Sequence, residues 1–169
     1  MAKERLTNER LNHPFAPLID ENCTVLILGS FPSRQSRAVD FYYGHPQNRF
    51  WKIMSALIDE EIPDDVNVKR ELLLKHHIAL WDIIHECTIT GSSDSSIKDV
   101  VPNDIKALIN HSSIRHIYCN GQTSGKLYKR YALKKTGIEA TILPSSSPAN
   151  ARFSLARLIE EWGQMIDLS

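Results

Sequence analysis

Short apolar runs alternate along this chain with longer stretches of helical spacing. Residues 24 to 29, TVLILG, are apolar with β-branched positions and end in Gly29, the pattern of a buried strand feeding a tight turn. From Asn48 to Ile58, Phe50, Trp51, Met54, Ala56 and Leu57 recur at helical spacing, with Asn48 at the N-cap position. A second helical pattern covers Val68 to His76 and precedes the apolar segment IALWDII, Ile78 to Ile84. Pro102 and Asn103 open a third helix over DIKALIN, and the strand IRHIYCN follows, ending at Asn120. Gln122 to Leu133 predicts helix, IEATILP a strand ending at Pro144, and Phe153 to Ile166 an amphipathic terminal helix. The alternation predicts a three-layer α/β/α domain around a mainly parallel sheet, with ligands beyond the carboxyl ends of its strands. Three loops gather there: 29 to 48, 120 to 123 and 144 to 152. No internal repeat interrupts this order, and the biased patches GSSDSS (91 to 96) and SSSP (145 to 148) are short enough to be turns.

Composition narrows the class. A chain of 169 residues with 42% hydrophobic content can bury one sizeable core but not two, so one domain over 1 to 169 is expected. Residues 1 to 20 carry charge and no apolar stretch, and are expected to form a peripheral segment. No run approaches the roughly 18 apolar residues that span a bilayer, which predicts a soluble cytoplasmic protein with no membrane partner. Cys23, Cys87 and Cys119 are far apart, odd in number and without a C-x-x-C pair, so they read as buried thiols in a reducing compartment. His76, His77, His85, His111 and His116 show no ligand spacing either, and neither metal nor cofactor is expected. Twenty basic and twenty acidic residues cancel, which removes the whole-molecule field that steers many nucleic-acid binders. Any such contact must be local.

The densest chemistry lies between Leu28 and Trp51, in LGSFPS followed by FYYGHPQNRFW. Small residues and a proline directly after a strand let backbone amides approach a phosphate or an extruded sugar, although an ordinary turn accounts for Gly29 and Pro32 alone. Tyr42, Tyr43, His45 and Asn48 crowd polar and aromatic groups into one loop stiffened by Pro46, and a loop this aromatic can stack a base. His45 is expected to order the loop. Lys126, Lys129, Arg130, Lys134 and Lys135 suit either DNA phosphates or a solvated helix face.

The string YGHPQNRFW resembles the F-A-H-P-x-N-R-F-W segment of the mismatch-specific uracil-DNA glycosylases. GSFPS stands where those enzymes have G-I-N-P-G and the classical uracil enzymes G-Q-D-P-Y. LPSSSPAN, 143 to 150, is similar to the second superfamily motif, H-P-S-P-L-S or N-P-S-G-L-S, and WDII, GSSDSSI and Asn120-Gly121 fall in matching order. The combination of GSFPS, YYGHPQNRFW, CNG and LPSSSPAN most resembles the hypoxanthine-DNA (deoxyinosine) glycosylase branch. The likeness runs from about Val25 to the terminal helix and implies a central four-stranded sheet. Asp94 and Ser95 match a superfamily loop and equally suit a turn cap.

Carried over residue by residue, the resemblance implies a monofunctional hydrolase acting as a monomer on DNA with deaminated bases, without metal or cofactor. Asn48 would hold the attacking water, positioning it rather than deprotonating it, since a carboxamide has no useful basicity. Tyr43 would stack on the flipped base and Asn120 read its edge, with Gly29, Ser30 and Phe31 bordering the pocket. Pro32, Ser33, Ser145, Ser146, Ser147 and Pro148 would pinch phosphates through backbone amides and hydroxyls, and Pro148, Ala149 and Asn150 lie where relatives place their duplex wedge. Two departures matter. Phe31 stands where relatives carry a water-activating Asp or Asn, and Leu143 where they carry a His or Asn that steadies the departing base, so that help must come from elsewhere, such as backbone amides near Gly121 or Ser145. No lysine in the motifs offers a Schiff base. Uracil or mismatched-base removal, or a binding module without catalysis, are the competing readings.

Overall fold

A computed structural model describes residues 8 to 90 and 96 to 168. Its centre is a four-stranded parallel sheet in the order β3-β2-β6-β7, built from β2 (Val25–Gly29), β3 (Ile78–Asp82), β6 (His116–Asn120) and β7 (Ala140–Leu143). Every residue of β2 is buried, because both its faces are covered. Val25 and Ile27 point into a core shared with Phe50, Trp51, Leu73, Leu158 and Trp162, while Leu26 and Leu28 point the other way, to Ile105, Cys119 and Tyr128. Helices α2 (Phe50–Ile58), α3 (Val66–Lys75) and α7 (Leu155–Met165) supply the first layer, and α4 (Ile105–Asn110) and α5 (Gln122–Tyr131) the second. The expected three-layer α/β/α domain is therefore what the chain builds.

A second sheet was not anticipated. Antiparallel strands β1 (Asn8–Asn12), β4 (Ile84–Thr90) and β5 (Lys98–Pro102) pair in the order β1-β4-β5. In β4 the buried residues are Ile84, Cys87 and Ile89, at spacings of three and then two, because the pairing with β5 shifts register on either side of Glu86. Such bulges erase the period-two signal that sequence reading depends on. Pro102, expected to open a helix, closes β5 instead, and Asp104 caps α4 by accepting from the Ala107 N–H at 3.0 Å.

The N-terminal segment does more than skirt the fold. Arg10 of β1 reaches Glu86 at 2.9 Å, and Leu18, fully buried, exchanges backbone hydrogen bonds with Leu80 of β3 at 2.9 and 3.0 Å. The loop from 29 to 48 contains a short helix, α1 (Arg34–Val39), whose N-cap Ser33 accepts from the Ser36 N–H. Helix α5 ends at Tyr131 and a separate turn, α6 (Leu133–Thr136), follows. The segment with Asp94 and Ser95 lies outside the described residues.

Candidate active site

Parallel strands place their carboxyl ends in one row: Asp82 pairs with Gly29, Leu28 with Cys119, and Asn120 with Leu143. Asp82, Gly29 and Asn120 thus stand side by side at the edge where α/β folds bind ligands. Gly29 has no room for a side chain, since a Cβ there would lie 2.3 Å from Asp82 Oδ1 and 3.3 Å from the Tyr43 hydroxyl. At Gly121 the backbone has φ 96°, outside the reach of ordinary residues, and Ser145 packs close against it.

Tyr43 is brought to this row by a backbone that most residues resist, with φ 55°. Its neighbours hold it there: Tyr42 is buried and donates its hydroxyl to the Ala16 carbonyl, and the Gly44 N–H donates to Ser36 Oγ at 2.8 Å. The Tyr43 ring stacks on Phe50 with centroids 4.0 Å apart, and its hydroxyl is buried without a hydrogen-bond partner. Burial raises the pKa of that hydroxyl and the Asp82 carboxylate raises it further, while Asn120, near but outside hydrogen-bonding geometry, pulls the other way. The hydroxyl stays protonated.

Asn48 and Asn120 are joined through Ser146. The Asn120 Nδ2 donates to Ser146 Oγ at 2.9 Å, Ser146 Oγ donates to Asn48 Oδ1 at 2.8 Å, and the Ser146 N–H donates to Asn120 Oδ1 at 3.0 Å. Asn48 Oδ1 also accepts from the Phe50 N–H at 3.0 Å. Backbone N–H groups can only donate, so both carboxamides have one permitted orientation. With both lone pairs of its oxygen engaged, Asn48 presents its Nδ2 hydrogens, which have no partner among the described residues. It lies beside the start of α2 rather than capping it; the N-cap is Arg49.

Arg49 was overlooked in the sequence. Its guanidinium donates to the carbonyls of Ser146, Ser147, Asn150 and Phe153, and its own N–H to Ser146 O at 3.1 Å. The loop from 144 to 152 is tied to α2 by this fork, and the Trp162 indole adds a bond to Pro144 O at 2.8 Å. Short local bonds shape the rest: Ser145 Oγ accepts from the Ser147 N–H, Ser147 Oγ from the Ala149 N–H, and Asn150 Nδ2 donates to Ser145 O. Ala149 is exposed and Pro148 half-buried.

Several expected assignments change. Ser146 is fully buried and spent on the two carboxamides, so it cannot pinch a phosphate. Phe31 packs with Ile84, Cys87 and Ile89 against the antiparallel sheet, and Pro32 is buried beside it. Ser33 keeps an exposed position while capping α1. Ser30 is half-buried and its carbonyl accepts from Ile84. The Gly121 N–H is engaged by Leu143 O at 3.0 Å, which removes it as an aid to a leaving group. His45 orders its loop as expected, its Nδ1 accepting from the Gln47 N–H at 3.0 Å.

A groove of about 710 Å³ runs beside the 39 to 48 loop and is lined by Tyr43, His45, Pro46, Asn48, Trp51 and Leu155, so Asn48 is reachable from outside. A smaller cavity against Trp81 and Leu108 holds none of the expected site residues. On the other flank of Gly29, Asp82 pairs with His13, which sequence reading also missed: His13 Nε2 lies 2.7 Å from Asp82 Oδ2, with both side chains buried. The signal was a lone carboxylate in the apolar run IALWDII, at a strand's carboxyl end. All three cysteines are buried and outside any disulfide, and burial pushes Cys23 and Cys119 up to about 12. Among the described residues no group of three or more His, Cys, Asp or Glu could hold a metal ion, and no helix is long and apolar enough to cross a membrane.

Known proteins share this design. The family model of the uracil DNA glycosylase superfamily matches residues 16 to 161. A hypoxanthine DNA glycosylase of Methanosarcina acetivorans is 40% identical over 150 residues, covering 88% of this chain and 93% of the relative. One of Methanosarcina barkeri is 37% identical over 141 residues, covering 82% and 87%. The solution NMR structure of a Methanosarcina acetivorans protein, solved as a candidate uracil DNA glycosylase, superimposes with a TM-score of 0.76 at 38% identity, over 89% of this chain and 93% of that one. With matching motifs, fold and sequence, the chain belongs to the uracil DNA glycosylase superfamily.

Proposed function

We propose that the protein is a monofunctional DNA glycosylase that excises hypoxanthine from deoxyinosine sites and opens base excision repair. The observation that carries this reading is the Asn48–Ser146–Asn120 chain beside Tyr43 at the carboxyl end of the sheet. The two relatives named as hypoxanthine DNA glycosylases support the choice of base. A deaminated, mispaired nucleotide leaves the duplex at a cost of only a few kcal/mol, and the flipped base stacks on Tyr43. Asn48 donates from Nδ2 to one lone pair of a water, leaving the other lone pair aimed at the sugar carbon as the N-glycosidic bond breaks. No group there removes the water's proton before attack, so Asn48 contributes by positioning. Asn120, unable to flip, offers one Nδ2 hydrogen to a carbonyl on the base. Ser33, Ser145, Ser147, Pro148, Ala149 and Asn150 form the rim that meets the DNA backbone. Gripping few phosphates, the protein binds as a monomer with a shallow salt dependence.

Duplexes carrying one deoxyinosine, uracil or xanthine are incubated with the protein and then treated with hot alkali. Strand breaks at deoxyinosine are expected, and breaks at uracil alone refute the assignment. Asn48→Ala is expected to lower single-turnover excision by about 10² to 10⁴ with the fold intact, and near-normal turnover would remove Asn48 from the mechanism.

A further inference from the structure

Among the described residues two side-chain atoms are buried without a hydrogen-bond partner: the Tyr43 hydroxyl, beside Gly29, and Nε of Arg37. The second takes no part in the proposed excision. Arg37 stands in the last turn of α1, half-buried, with its guanidinium 5.8 Å from the centre of the Phe31 ring, within reach of a cation–π contact. Among the described residues its side chain forms neither an ion pair nor a hydrogen bond. Arginine brings five N–H donors and no acceptor, and folded chains seldom leave a buried donor unpaired. The ring steadies the charge but satisfies none of the donors. The helix that carries Arg37 is fixed to the pocket: a Cβ at Gly44 would lie 2.6 Å from Val39 Cγ2 and 3.2 Å from Ser36 Cα, so α1 packs directly on the residue after Tyr43. Phe31 follows Gly29 by two residues and is buried against Ile84, Cys87 and Ile89. The guanidinium is thus held in the loop beyond the carboxyl end of β2, where a flipped nucleotide enters. Ser33, expected from the sequence to grip a phosphate there, has its hydroxyl hydrogen spent on Ser36 Oγ at 3.0 Å.

We propose that Arg37 is a phosphate clamp, seated on Phe31 in the free protein and donating two N–H bonds to the oxygens of one phosphate beside the flipped nucleotide. This rests on the glycosylase reading for its ligand, a DNA strand. The planar fork of a guanidinium matches a pair of phosphate oxygens, and the charge on both partners strengthens each bond. A cation–π contact uses the face of the guanidinium, whereas the fork donates from its edge, so the ring can stay beneath the group while the phosphate meets it. A tilt toward the strand breaks no hydrogen bond, because the resting side chain has none to lose. Phe31 is then a positioning residue: its apolar ring, useless for handling water, sets the plane of the fork. The clamp adds one strong, charged contact to a rim otherwise made of neutral groups, in a protein whose formal charge is zero.

Affinity is measured by fluorescence titration at several salt concentrations, with a duplex holding one cleavage-resistant 2′-fluoro deoxyinosine. Arg37→Gln removes the charge and breaks no hydrogen bond of the free protein. It is expected to lower the slope of log affinity against log salt by about one, so that the wild-type advantage shrinks about threefold between about 50 and 200 mM salt. A side chain that only packs would weaken binding without moving that slope. Neutral methylphosphonates are then placed one at a time on either side of the lesion. At one position the wild type is expected to lose affinity about tenfold and Arg37→Gln almost nothing. Phe31→Leu should weaken binding at that phosphate in the wild type and add nothing in Arg37→Gln; an equal loss in both backgrounds would take Phe31 out of the clamp. An unmoved salt slope, or methylphosphonate losses as large in Arg37→Gln as in the wild type at every position, would overturn the proposal. So would the same coupling from Arg34→Gln, which removes an equal charge from the same helix. A wild type indifferent to every methylphosphonate overturns it without any variant. Failure of the wild type to release hypoxanthine from ordinary deoxyinosine would instead refute the glycosylase reading, while the salt slope and the methylphosphonate positions judge Arg37 by themselves.

Discussion

Two buried polar clusters flank Gly29, and they are made in opposite ways. On one side stand neutral groups, Asn48, Ser146 and Asn120, whose bonds end on the backbone N–H groups of Phe50 and Ser146. On the other stands an ionisable pair, His13 and Asp82, drawn from segments 69 residues apart and sealed by Phe15, Phe31 and Tyr42 around the imidazole. The neutral cluster gains direction from the main chain and costs little to bury once satisfied. The ionisable cluster depends on both partners being present, because a buried carboxylate left without its partner costs far more than a lost neutral bond. The neutral side thus takes its direction from the main chain, whereas the integrity of the ionisable side depends on the N-terminal segment.

The largest break in that comparison is His13→Leu, which leaves Asp82 buried without its partner. A loss of about 3 to 5 kcal/mol is expected in urea unfolding. Replacing both, with His13→Leu and Asp82→Leu together, should restore most of that stability, since a well-packed apolar pair removes the desolvation cost. If the double variant is as unstable as the single one, packing of the imidazole rather than its charge is what matters at this position.

Ser146→Ala attacks the neutral side and should cost less, about 1 to 3 kcal/mol. It removes both the hydroxyl that Asn120 donates to and the donor that engages Asn48 Oδ1, yet each carboxamide keeps its bond to a backbone N–H. Freed to swing, the two amides should excise more slowly, by about 10 to 100-fold in single turnover. Unchanged turnover would show that the backbone bonds alone hold the geometry.

The two clusters also differ in how far the sequence reveals them. Asn48 and Asn120 sit in compact strings, HPQNRFW and the strand end CNG, whose order along the chain marks the neutral side. Strand β2 is equally plain as an unbroken apolar run ending at Gly29, and β6 shows as the short apolar core IYC before the Asn120-Gly121 turn. His13 and Asp82 share no string, and their meeting depends on β1 pairing with β4 and on the Leu18–Leu80 bridge, neither of which has a local signature. Strand β4 hides behind its bulges, and β1, NERLN, reads as a polar tail because its one half-buried side chain is Leu11. Ser146 reads as a surface serine within SSSP; the fork of Arg49, reaching across 97 residues or more, and the Trp162 indole fold that loop inward and bury it.

Arg49→Lys therefore sharpens the neutral side from outside. A lysine keeps the charge but offers one ammonium in place of a planar fork, so the carbonyls of Ser147 and Asn150 cannot both be held with the same geometry. Stability should fall by about 1 kcal/mol, with a weakening of duplex affinity as the 144 to 152 rim loosens. Affinity equal to wild type in fluorescence titration would detach that rim from DNA binding.

The smallest effect comes from a pair on the surface, which serves as the reference for the buried one. Glu60 lies 2.6 Å from His76 Nε2 and 3.0 Å from Lys75 Nζ, and the His76 bond, followed by that of Lys75, holds its carboxyl below the ordinary carboxylate value. A carboxylate whose pKa is depressed on folding stabilises the protein above its unfolded value, and that contribution disappears as pH falls through the folded value. Glu60→Gln should flatten this acidic limb slightly and leave stability at neutral pH nearly unchanged, with raised salt mimicking the substitution in the wild type. Unfolding of Glu60→Gln and wild type measured from pH 7 down to 3 checks it. If Glu60→Gln is as damaging at neutral pH as His13→Leu, then burial is not what sets the two ion pairs apart, and the account of the charged flank of the pocket must change with it.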